Sequence, residues 1–161
     1  MWIPAYVALG SNLDDPLSQL RQALAAMADL PGTAAHRASP FYQSVPLGGL
    51  SQPNYVNAVA GFLTTSSAAE LLAQLLQLEA SLGRVRDAVR WAPRRIDLDL
   101  LVYGAQRIDV PGLTVPHPGI VSRNFVLYPL VDVAPGLEIP GLGPASRLRA
   151  AVGTAGLQRM T

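Results

Sequence analysis

Two aspartates, Asp97 and Asp99, stand two residues apart in an otherwise apolar run. Side chains alternate along a β-strand, so this spacing places both carboxylates on one face. The intervening residues are apolar and are expected to pack on the opposite face: Ile96, Leu98, Leu100 and Val102. Two like charges this close repel each other unless a cation lies between them. Mg²⁺, which binds one or two protein carboxylates together with substrate phosphates, fits that description. The pair therefore predicts a metal–phosphate site.

The residues just before the aspartates are rich in arginine. The chain has no lysine, and five of its 12 cationic residues lie within twelve positions: Arg84, Arg86, Arg90, Arg94 and Arg95. A planar, permanently charged guanidinium group matches phosphate oxygens well. The absence of lysine excludes a Schiff-base lysine and a Walker-type phosphate loop. A solvated basic loop is the alternative for an isolated cluster, but its position beside the carboxylate pair favours phosphate binding.

Four residues are candidates for a pocket that holds a planar ring: Tyr55, Asn57, Trp91 and Phe125. The first two share a strand face by their spacing. An asparagine amide can pair with both a donor and an acceptor of a heterocycle, and aromatic side chains can stack on it. For Tyr55 or Phe125 alone, simple core packing is the alternative interpretation.

Three further features are, taken alone, weaker evidence for a functional site. Residues 10–12, Gly-Ser-Asn, end a strand and are interpreted as scaffold, a turn followed by a helix cap. Glu79 lies at the edge of an apolar helix face, where an acid is usually solvated or paired. His117 lies between two prolines, whose rings fix the neighbouring backbone.

Composition limits the class of protein. The chain has 161 residues, of which 50% are hydrophobic and 14% charged, and this is typical of a single globular domain over residues 1–161. The absence of cysteine excludes disulfides, thiolate metal sites and a cysteine nucleophile. Without a membrane-length apolar run or a signal-peptide pattern, a cytoplasmic protein with no membrane partner is expected. The net charge of +1 argues against a nucleic-acid partner.

Hydrophobic spacing and turn signals predict the elements that position these residues. The pattern favours a strand, a helix, an extended segment, a strand and a second helix, over residues 5–9, 17–27, 36–44, 54–64 and 67–83. Ser67 and Glu70 form a capping box for the second helix, which Gly83 ends. After the aspartate strand, a hairpin turn is expected at residues 103–106, and Ser122 is expected to cap a further helix. One more short helix is expected in the tail.

This order of elements predicts an α+β fold. Strand, helix, strand, strand, helix and strand form the βαββαβ pattern of ferredoxin-like domains. Such a core has an antiparallel sheet with helices on one face, which leaves the other face for the active-site loops. The aspartate pair is assigned to that second face.

Residues 90–101, Arg-Trp-Ala-Pro-Arg-Arg-Ile-Asp-Leu-Asp-Leu-Leu, resemble the signature of the 6-hydroxymethyl-7,8-dihydropterin pyrophosphokinase family of folate biosynthesis. The resemblance continues over nearly the whole chain, through residues 7–13, 41–48, 52–58, 79–86, 113–117 and 123–125. It implies transfer of pyrophosphate from ATP to the hydroxymethyl oxygen of 6-hydroxymethyl-7,8-dihydropterin with release of AMP. Two Mg²⁺ ions and a monomeric protein are implied as well.

The resemblance also implies a role for each candidate residue. The residues that bind both metal ions or act on the transferring group would be Asp97, Asp99, Arg84 and Arg94. The pterin pocket would be lined by Ser44, Val45, Leu47, Tyr55, Asn57, Trp91 and Phe125. ATP and its phosphates would be held by Glu79, Arg84, Arg86, Arg94, Leu100, Thr114, His117 and Arg123. No side chain stands out as a general base.

Three positions depart from the family's pattern, and all concern ATP contacts or the mobile loop. Family members often carry a polar or basic residue where this chain has Leu76, Asp87 and Gly112. None of these departures involves the aspartate pair.

Two other functions are compatible with parts of this pattern. The first is a general Mg²⁺-dependent nucleotidyl or phosphoryl transferase that uses another acceptor. The second is a small-molecule or RNA-binding module of the same topology, without catalysis. That module would favour exposed aromatic residues on the central strands, whereas aspartates there repel RNA phosphate.

Overall fold

The computed structural model describes residues 1–46, 53–83 and 96–160. β1 (Ile3–Ser11) is followed by α1 (Pro16–Ala28). The Asp15 side chain accepts the backbone N–H of Ser18, and proline occupies the first helical position, where its missing N–H costs nothing. The predicted first strand and helix are therefore confirmed, each slightly longer than the pattern indicates.

The extended segment expected at residues 36–44 is two strands, β2 (Thr33–Ala38) and β3 (Tyr42–Ser44). The interruption falls at Pro40, which has no N–H to donate to a strand partner. Ser39 keeps the chain attached to the sheet, because its hydroxyl accepts the backbone N–H of Val59 at 2.9 Å. β4 (Tyr55–Thr64) confirms the next predicted strand.

The second helix, α2 (Ala68–Leu82), has the predicted ends. The Ser67 hydroxyl accepts the Glu70 backbone N–H, and the Glu70 carboxylate accepts that of Ser67, each at 3.1 Å. Gly83 ends the helix and donates its backbone N–H to the Glu79 carbonyl at 2.8 Å.

After β5 (Asp97–Tyr103) come β6 (Ile108–Val110) and β7 (Leu113–Val115). The turn expected after Tyr103 is present, since the Gln106 backbone N–H bonds to the Tyr103 carbonyl at 3.1 Å. The expected hairpin is wrong, however, because β6 pairs with β7 rather than with β5.

The last third contains α3 (Asn124–Val133) and α4 (Ala145–Val152), with three short strands, β8 (Glu138–Ile139), β9 (Gly143–Pro144) and β10 (Leu157–Arg159). The expected tail helix is α4. Ser122 does not cap α3: its hydroxyl donates to the Gly119 carbonyl at 3.4 Å within a short 3₁₀ turn, and the helix begins after Arg123.

The main sheet has the strand order β10-β3-β4-β1-β5, with β2 also paired to β4, and all of its pairings are antiparallel. α1 and α2 pack on one face, where they bury Leu20, Met27 and Leu71. α3 and α4 cover part of the other face, against Ala8 and Val59. The predicted α+β fold is thus confirmed, and α3 forms one wall above the second face.

β5 carries one irregularity that changes which face its side chains occupy. Val7 pairs with Leu100 but Tyr6 pairs with Val102, so Leu101 is an extra residue opposite the β1 strand. Such a bulge reverses the alternation of the side chains beyond it. Leu98 and Leu100 pack on the α1–α2 face as expected, but Val102 packs with α3, and its predicted placement is wrong.

Within the described residues, no helix is both long enough and apolar enough to cross a membrane.

Candidate functional site

A cavity of about 290 Å³ opens on the second face of the main sheet, and we call it the face cavity. Its floor comes from β1, β4 and β5 and its walls from the end of β3 and the start of α3. It is lined by Ala8, Leu9, Gly10, Ser44, Val45, Pro46, Tyr55, Asn57, Asp97, Asp99, Arg123, Phe125 and Val126.

Strand register accounts for the floor of the face cavity. Gly10 of β1 lies between Asp97 of β5 and Asn57 of β4, and Ala8 lies beside Asp99. Side chains of directly opposed residues stand on the same face of a sheet. The small β1 residues therefore leave room between the two carboxylates on one side and the asparagine amide on the other.

A buried hydrogen bond orients the polar group of this floor. The Ser44 hydroxyl donates to Asn57 Oδ1 at 2.6 Å, and both residues are only 5% exposed. The Asn57 Nδ2 atom lies above Gly10, where a Cβ atom would come within 3.2 Å of it. With its oxygen bonded to Ser44, the amide presents N–H donors, and the Ser44 oxygen can still accept a hydrogen bond. This pair can recognise an acceptor–donor edge of a planar ring.

The strand that carries Ser44 is anchored beneath the cavity. The hydroxyl of Tyr42, a buried residue opposite Asn57 in the register, donates to the Asp132 carboxylate of α3. Burial, together with this carboxylate, raises the pKa of Tyr42 to about 12. Tyr42 therefore stays protonated and keeps β3 bonded to α3.

A second cavity, of about 340 Å³, lies at the outer edge of β5, and we call it the edge cavity. It is bordered by one side of α2, by β5 and by the segment around β7. Its lining consists of Leu72, Leu76, Glu79, Leu98, Asp99, Leu100, Gly112, Leu113, Thr114, His117 and Pro118. Asp99 lines both cavities, so the two spaces meet at this carboxylate.

Glu79 joins α2 to the edge of β5. Its Oε1 atom accepts the backbone N–H of Leu98 at 2.6 Å. Leu98 pairs with Leu9 of β1 but directs this N–H away from β1. In a regular antiparallel strand, residues two apart direct their backbone groups to the same side. The N–H and C=O of Leu100 therefore face the edge cavity.

His117 lines the edge cavity together with Asp99 and is held in one orientation. Its backbone N–H bonds to the Leu101 carbonyl, and its Nδ1 atom accepts the Gly119 N–H, each at 2.9 Å. Burial lowers the pKa of His117; Asp99 opposes this shift and Arg123 reinforces it. A neutral imidazole that accepts at Nδ1 carries its proton on Nε2, so this ring can donate one hydrogen bond.

The structure separates the predicted site residues into two groups. The described residues predicted to line the pterin pocket all border the face cavity: Ser44, Val45, Tyr55, Asn57 and Phe125. Four of the described residues predicted to hold ATP border the edge cavity: Glu79, Leu100, Thr114 and His117. The fifth, Arg123, instead lines the face cavity together with the two aspartates.

Other predicted residues fall outside the described ranges: Leu47, Arg84, Arg86, Trp91 and Arg94. Of the three departures from the family pattern, Leu76 and Gly112 line the edge cavity, and Asp87 lies outside the described ranges.

Gly10 lines the face cavity, although sequence reasoning treated it only as scaffold. Its lack of a side chain leaves space for the Asn57 amide. The signal that could have found it is the pairing of β1 with β4, because a glycine opposite a polar ring-binding residue indicates a deliberate gap.

The residues present fit a Mg²⁺ site of the expected kind. Asp97 and Asp99 are half-buried on one strand face and both border the face cavity. Within the described residues there is no cluster of three or more metal-binding side chains. Two carboxylates alone are too few for a closed protein site, but they suit Mg²⁺, which completes its shell with water and substrate phosphates.

The fold and the paired cavities define an α+β protein with two adjacent cavities that share the Asp99 carboxylate. Residues 6–135 match the family described as 7,8-dihydro-6-hydroxymethylpterin-pyrophosphokinase (HPPK). The chain belongs to this family, so the predicted identity as a pyrophosphokinase of folate biosynthesis, with ATP as co-substrate, is confirmed.

Two curated relatives are similar to this chain in sequence over most of their length. The chain is 46% identical over 155 residues to the 2-amino-4-hydroxy-6-hydroxymethyldihydropteridine pyrophosphokinase of Pseudomonas aeruginosa, an alignment that covers 96% of this chain and 95% of that protein. It is 46% identical over 138 residues to the Haemophilus influenzae protein of the same name, covering 86% of each.

Solved structures share the fold at low sequence identity. A structure described as HPPK-DHPS in complex with substrates matches with a TM-score of 0.75 at 10% identity. The match covers 98% of this chain, which spans less than half (46%) of that longer chain. A Plasmodium falciparum HPPK-DHPS structure with pteroate matches with a TM-score of 0.70 at 11% identity.

Proposed function

We propose that this chain transfers the pyrophosphoryl group of ATP to the hydroxymethyl oxygen of 6-hydroxymethyl-7,8-dihydropterin, which gives the pterin diphosphate and AMP. The observation that carries the proposal is that Asp99 borders both cavities. An acceptor in one cavity and a nucleotide in the other would therefore bring the hydroxyl and the phosphates to the same carboxylate pair. Family membership supports the choice of substrates.

The pterin ring would occupy the face cavity. Asn57 would donate from its amide, and Ser44 would accept, along the polar edge of the ring, supported by their 2.6 Å hydrogen bond. Tyr55 and Phe125 would stack on its two faces. By resemblance, Val45, Leu47 and Trp91 would complete the enclosure.

ATP would occupy the edge cavity. An adenine edge presents an amino donor beside a ring acceptor, and the backbone C=O and N–H groups of Leu100 match that pair. Glu79 and Thr114 would contact the nucleoside, and His117 and Arg123 would bind the phosphates. By resemblance, Arg84, Arg86 and Arg94 would approach the same phosphates.

Asp97 and Asp99 would hold Mg²⁺, and we propose two ions, as the resemblance implies. Bound there, Mg²⁺ supplies charge neutralisation for the phosphate oxygens and helps to orient the attacking and leaving oxygens. The pair of carboxylates would also keep competing anions out of the site in the absence of a cation.

The residues of this chain would act mainly by positioning and by electrostatic stabilisation. Phosphoryl-type transfer through a loose transition state needs alignment more than a strong base, and we assign no general base. The acceptor oxygen would form a bond to the β-phosphorus and release its proton to solvent water. The bond between the β-phosphorus and the oxygen that bridges to the α-phosphorus would break, and AMP would leave with that oxygen and its electron pair. The His117 Nε2–H group and the Arg123 guanidinium would stabilise the charge that develops on these oxygens.

Three properties expected from the sequence remain proposals: a single functional domain over residues 1–161, a monomeric state and a cytoplasmic location. We also propose that the binding partners of this protein are its two small-molecule substrates, ATP and the pterin, and that it binds neither nucleic acid nor membranes.

The test is incubation of the purified protein with ATP, Mg²⁺ and the reduced pterin alcohol, with separation of AMP from ADP. AMP formed together with pterin diphosphate is the expected result, and omission of the pterin or addition of EDTA should abolish it. Formation of ADP would indicate an ordinary kinase and contradict the proposal. Nucleotide turnover with another acceptor alone would favour the general Mg²⁺-dependent transferase.

A further inference from the structure

The C-terminal segment lies beyond residues 6–135, the part of the chain that matches the family. It nevertheless contacts residues that line the face cavity. β10 pairs with β3, and Leu157 lies opposite Ser44, the residue that orients Asn57. β10 is thus the outermost strand next to the acceptor-binding edge of the sheet.

The turn before β10, residues 154–156, holds one wall of the cavity directly. The backbone N–H of Val45 bonds to the Gly156 carbonyl at 3.1 Å. Val45 borders the face cavity yet is 53% exposed, so few other contacts restrain it. The turn is closed by the Leu157 N–H, which bonds to the Thr154 carbonyl at 3.0 Å.

The same turn also holds the opposite wall. The Asn124 Nδ2 atom donates to the Ala155 carbonyl at 2.9 Å. Asn124 is the first residue of α3 and stands between Arg123 and Phe125, which both border the face cavity. Two successive carbonyls of one turn therefore bond to the β3 side and to the α3 side of the cavity.

Gly156 is required for this approach. Its φ angle is +71°, a conformation that favours glycine. A Cβ atom at this position would come within 2.7 Å of Val45 Cγ2. A side chain at residue 156 would therefore displace Val45 from its present position beside the turn.

We propose that residues 154–156 form a clasp that sets the spacing between Val45 and Phe125 and thereby tunes affinity for the acceptor ring. Gly156 and Asn124 are positioning residues, since they act through Val45 and the start of α3. This inference rests on the proposed function. Residues 154–156 bond to Val45, which lines the face cavity, and to Asn124 at the start of α3. Because neither they nor these two partners line the edge cavity, the clasp should affect the pterin and leave ATP unaffected.

The main experiment compares Gly156→Ala with Gly153→Ala. Gly153 has nearly the same φ angle, +75°, but a Cβ atom there meets nothing within 4 Å. Both variants place an alanine at a positive φ, and only Gly156→Ala also crowds Val45. We expect Gly156→Ala to raise the KM for the pterin about tenfold, which corresponds to about 1.4 kcal/mol. The KM for ATP should stay within about twofold, and Gly153→Ala should retain both wild-type values.

Asn124→Ala provides a second variant that does not depend on backbone strain. It removes the N–H donor for the Ala155 carbonyl without adding a charge beside Arg123. We expect a rise of about threefold to fivefold in the pterin KM, with no change in the ATP KM.

The inference would be overturned if Gly156→Ala had the wild-type KM for the pterin. It would also be overturned if Gly153→Ala raised the pterin KM as much as Gly156→Ala does, or if Gly156→Ala raised the KM for ATP and for the pterin in parallel. The failure of the proposed function would be distinguishable, because the wild-type protein would then form no AMP. Calorimetric titration of each variant with the pterin alcohol separates a binding effect from an effect on turnover.

Discussion

The face cavity and the edge cavity are both built on β5, but they use different parts of that strand. The face cavity uses side chains that stand on neighbouring strands of the main sheet, and a buried hydrogen bond between Ser44 and Asn57 fixes two of them. The edge cavity uses the outer backbone edge of β5, with side chains contributed by α2 and the segment around β7.

This difference has a consequence for specificity. Side chains on three adjacent strands can be matched closely to the outline of one ring, and each substitution there removes a specific contact. Backbone groups of an edge strand are present whatever the side chains are, so the edge cavity should tolerate substitution better. Leu76 and Gly112, the two departures that line the edge cavity, agree with that tolerance.

The largest effect is expected at Asp99, where the two cavities meet. Asp99→Ala removes the carboxylate that lines both cavities and that, in the proposed function, would hold Mg²⁺ between the two substrates. We therefore expect kcat to fall by about 10³-fold or more, or about 4 kcal/mol. Because Asp99 is half-buried at a cavity, the variant should still fold, as circular dichroism and thermal unfolding would show. Asp29→Asn, at an exposed carboxylate after α1, is the matched control. AMP production near the wild-type rate by Asp99→Ala would contradict the metal role.

A smaller and one-sided effect is expected at Asn57. Asn57→Ala removes the amide that would face the pterin ring in the proposed function, and it leaves the Ser44 hydroxyl without the acceptor it has in the structure. We expect the Kd for the pterin to rise about a hundredfold, or about 2.7 kcal/mol, and the Kd for ATP with Mg²⁺ to change little. Titration of each substrate separately would measure this.

Asn54→Ala replaces an exposed asparagine just before the same strand and should leave both affinities unchanged. Pterin affinity that survives Asn57→Ala would show that the acceptor lies elsewhere, and the contrast between the two cavities would fail with it.

The features of the fold and of the candidate site that the sequence predicts correctly are those set by short segments of the chain. Local alternation was sufficient to put Asp97 with Asp99, and Tyr55 with Asn57, on one face, because strand periodicity is a local property. The capping box of α2 is local as well, and it too was predicted correctly.

Features that depend on pairing between distant segments could not be predicted in this way. The Leu101 bulge, which moves Val102 to the α3 face, arises from the register with β1. The value of Gly10 becomes apparent only when Asn57 is placed opposite it. The contact of β10 with β3 joins residues more than a hundred positions apart. Register of this kind is set by the packing of the whole sheet rather than by any short segment.

An intermediate effect is expected at Glu79, where the edge cavity depends on a side chain. Glu79→Ala leaves the Leu98 N–H without its acceptor, so we expect the KM for ATP to rise about tenfold and the pterin KM to change little. Glu79→Gln keeps an oxygen that can accept this N–H and should stay within about threefold of wild type. Steady-state kinetics with each substrate varied would test this. If Glu79→Gln were as impaired as Glu79→Ala, the charge of Glu79 would matter more than its bond to β5.

The smallest effect concerns pH and the stability of the edge cavity. Burial lowers the pKa of His117, and its Nδ1 atom accepts the Gly119 N–H, a bond that protonation at Nδ1 would break. Below the usual histidine pKa of about 6.5, the unfolded chain therefore binds more protons than the folded one, and the free energy of unfolding should fall as the pH drops. Burial also lowers the pKa of His36, far from either cavity, which adds a contribution of the same sign.

Urea unfolding between about pH 7 and pH 5.5 would separate these contributions. As the pH falls, the free energy of unfolding should decrease less steeply in His117→Asn than in wild type. ATP should raise the free energy of unfolding of the wild-type protein according to its concentration relative to its Kd. His36→Asn should also make the free energy of unfolding depend less steeply on pH, without changing the stabilisation by ATP. An unchanged slope in His117→Asn would mean that this histidine titrates alike in both states, and the neutral donor assigned to the edge cavity would have to be given up.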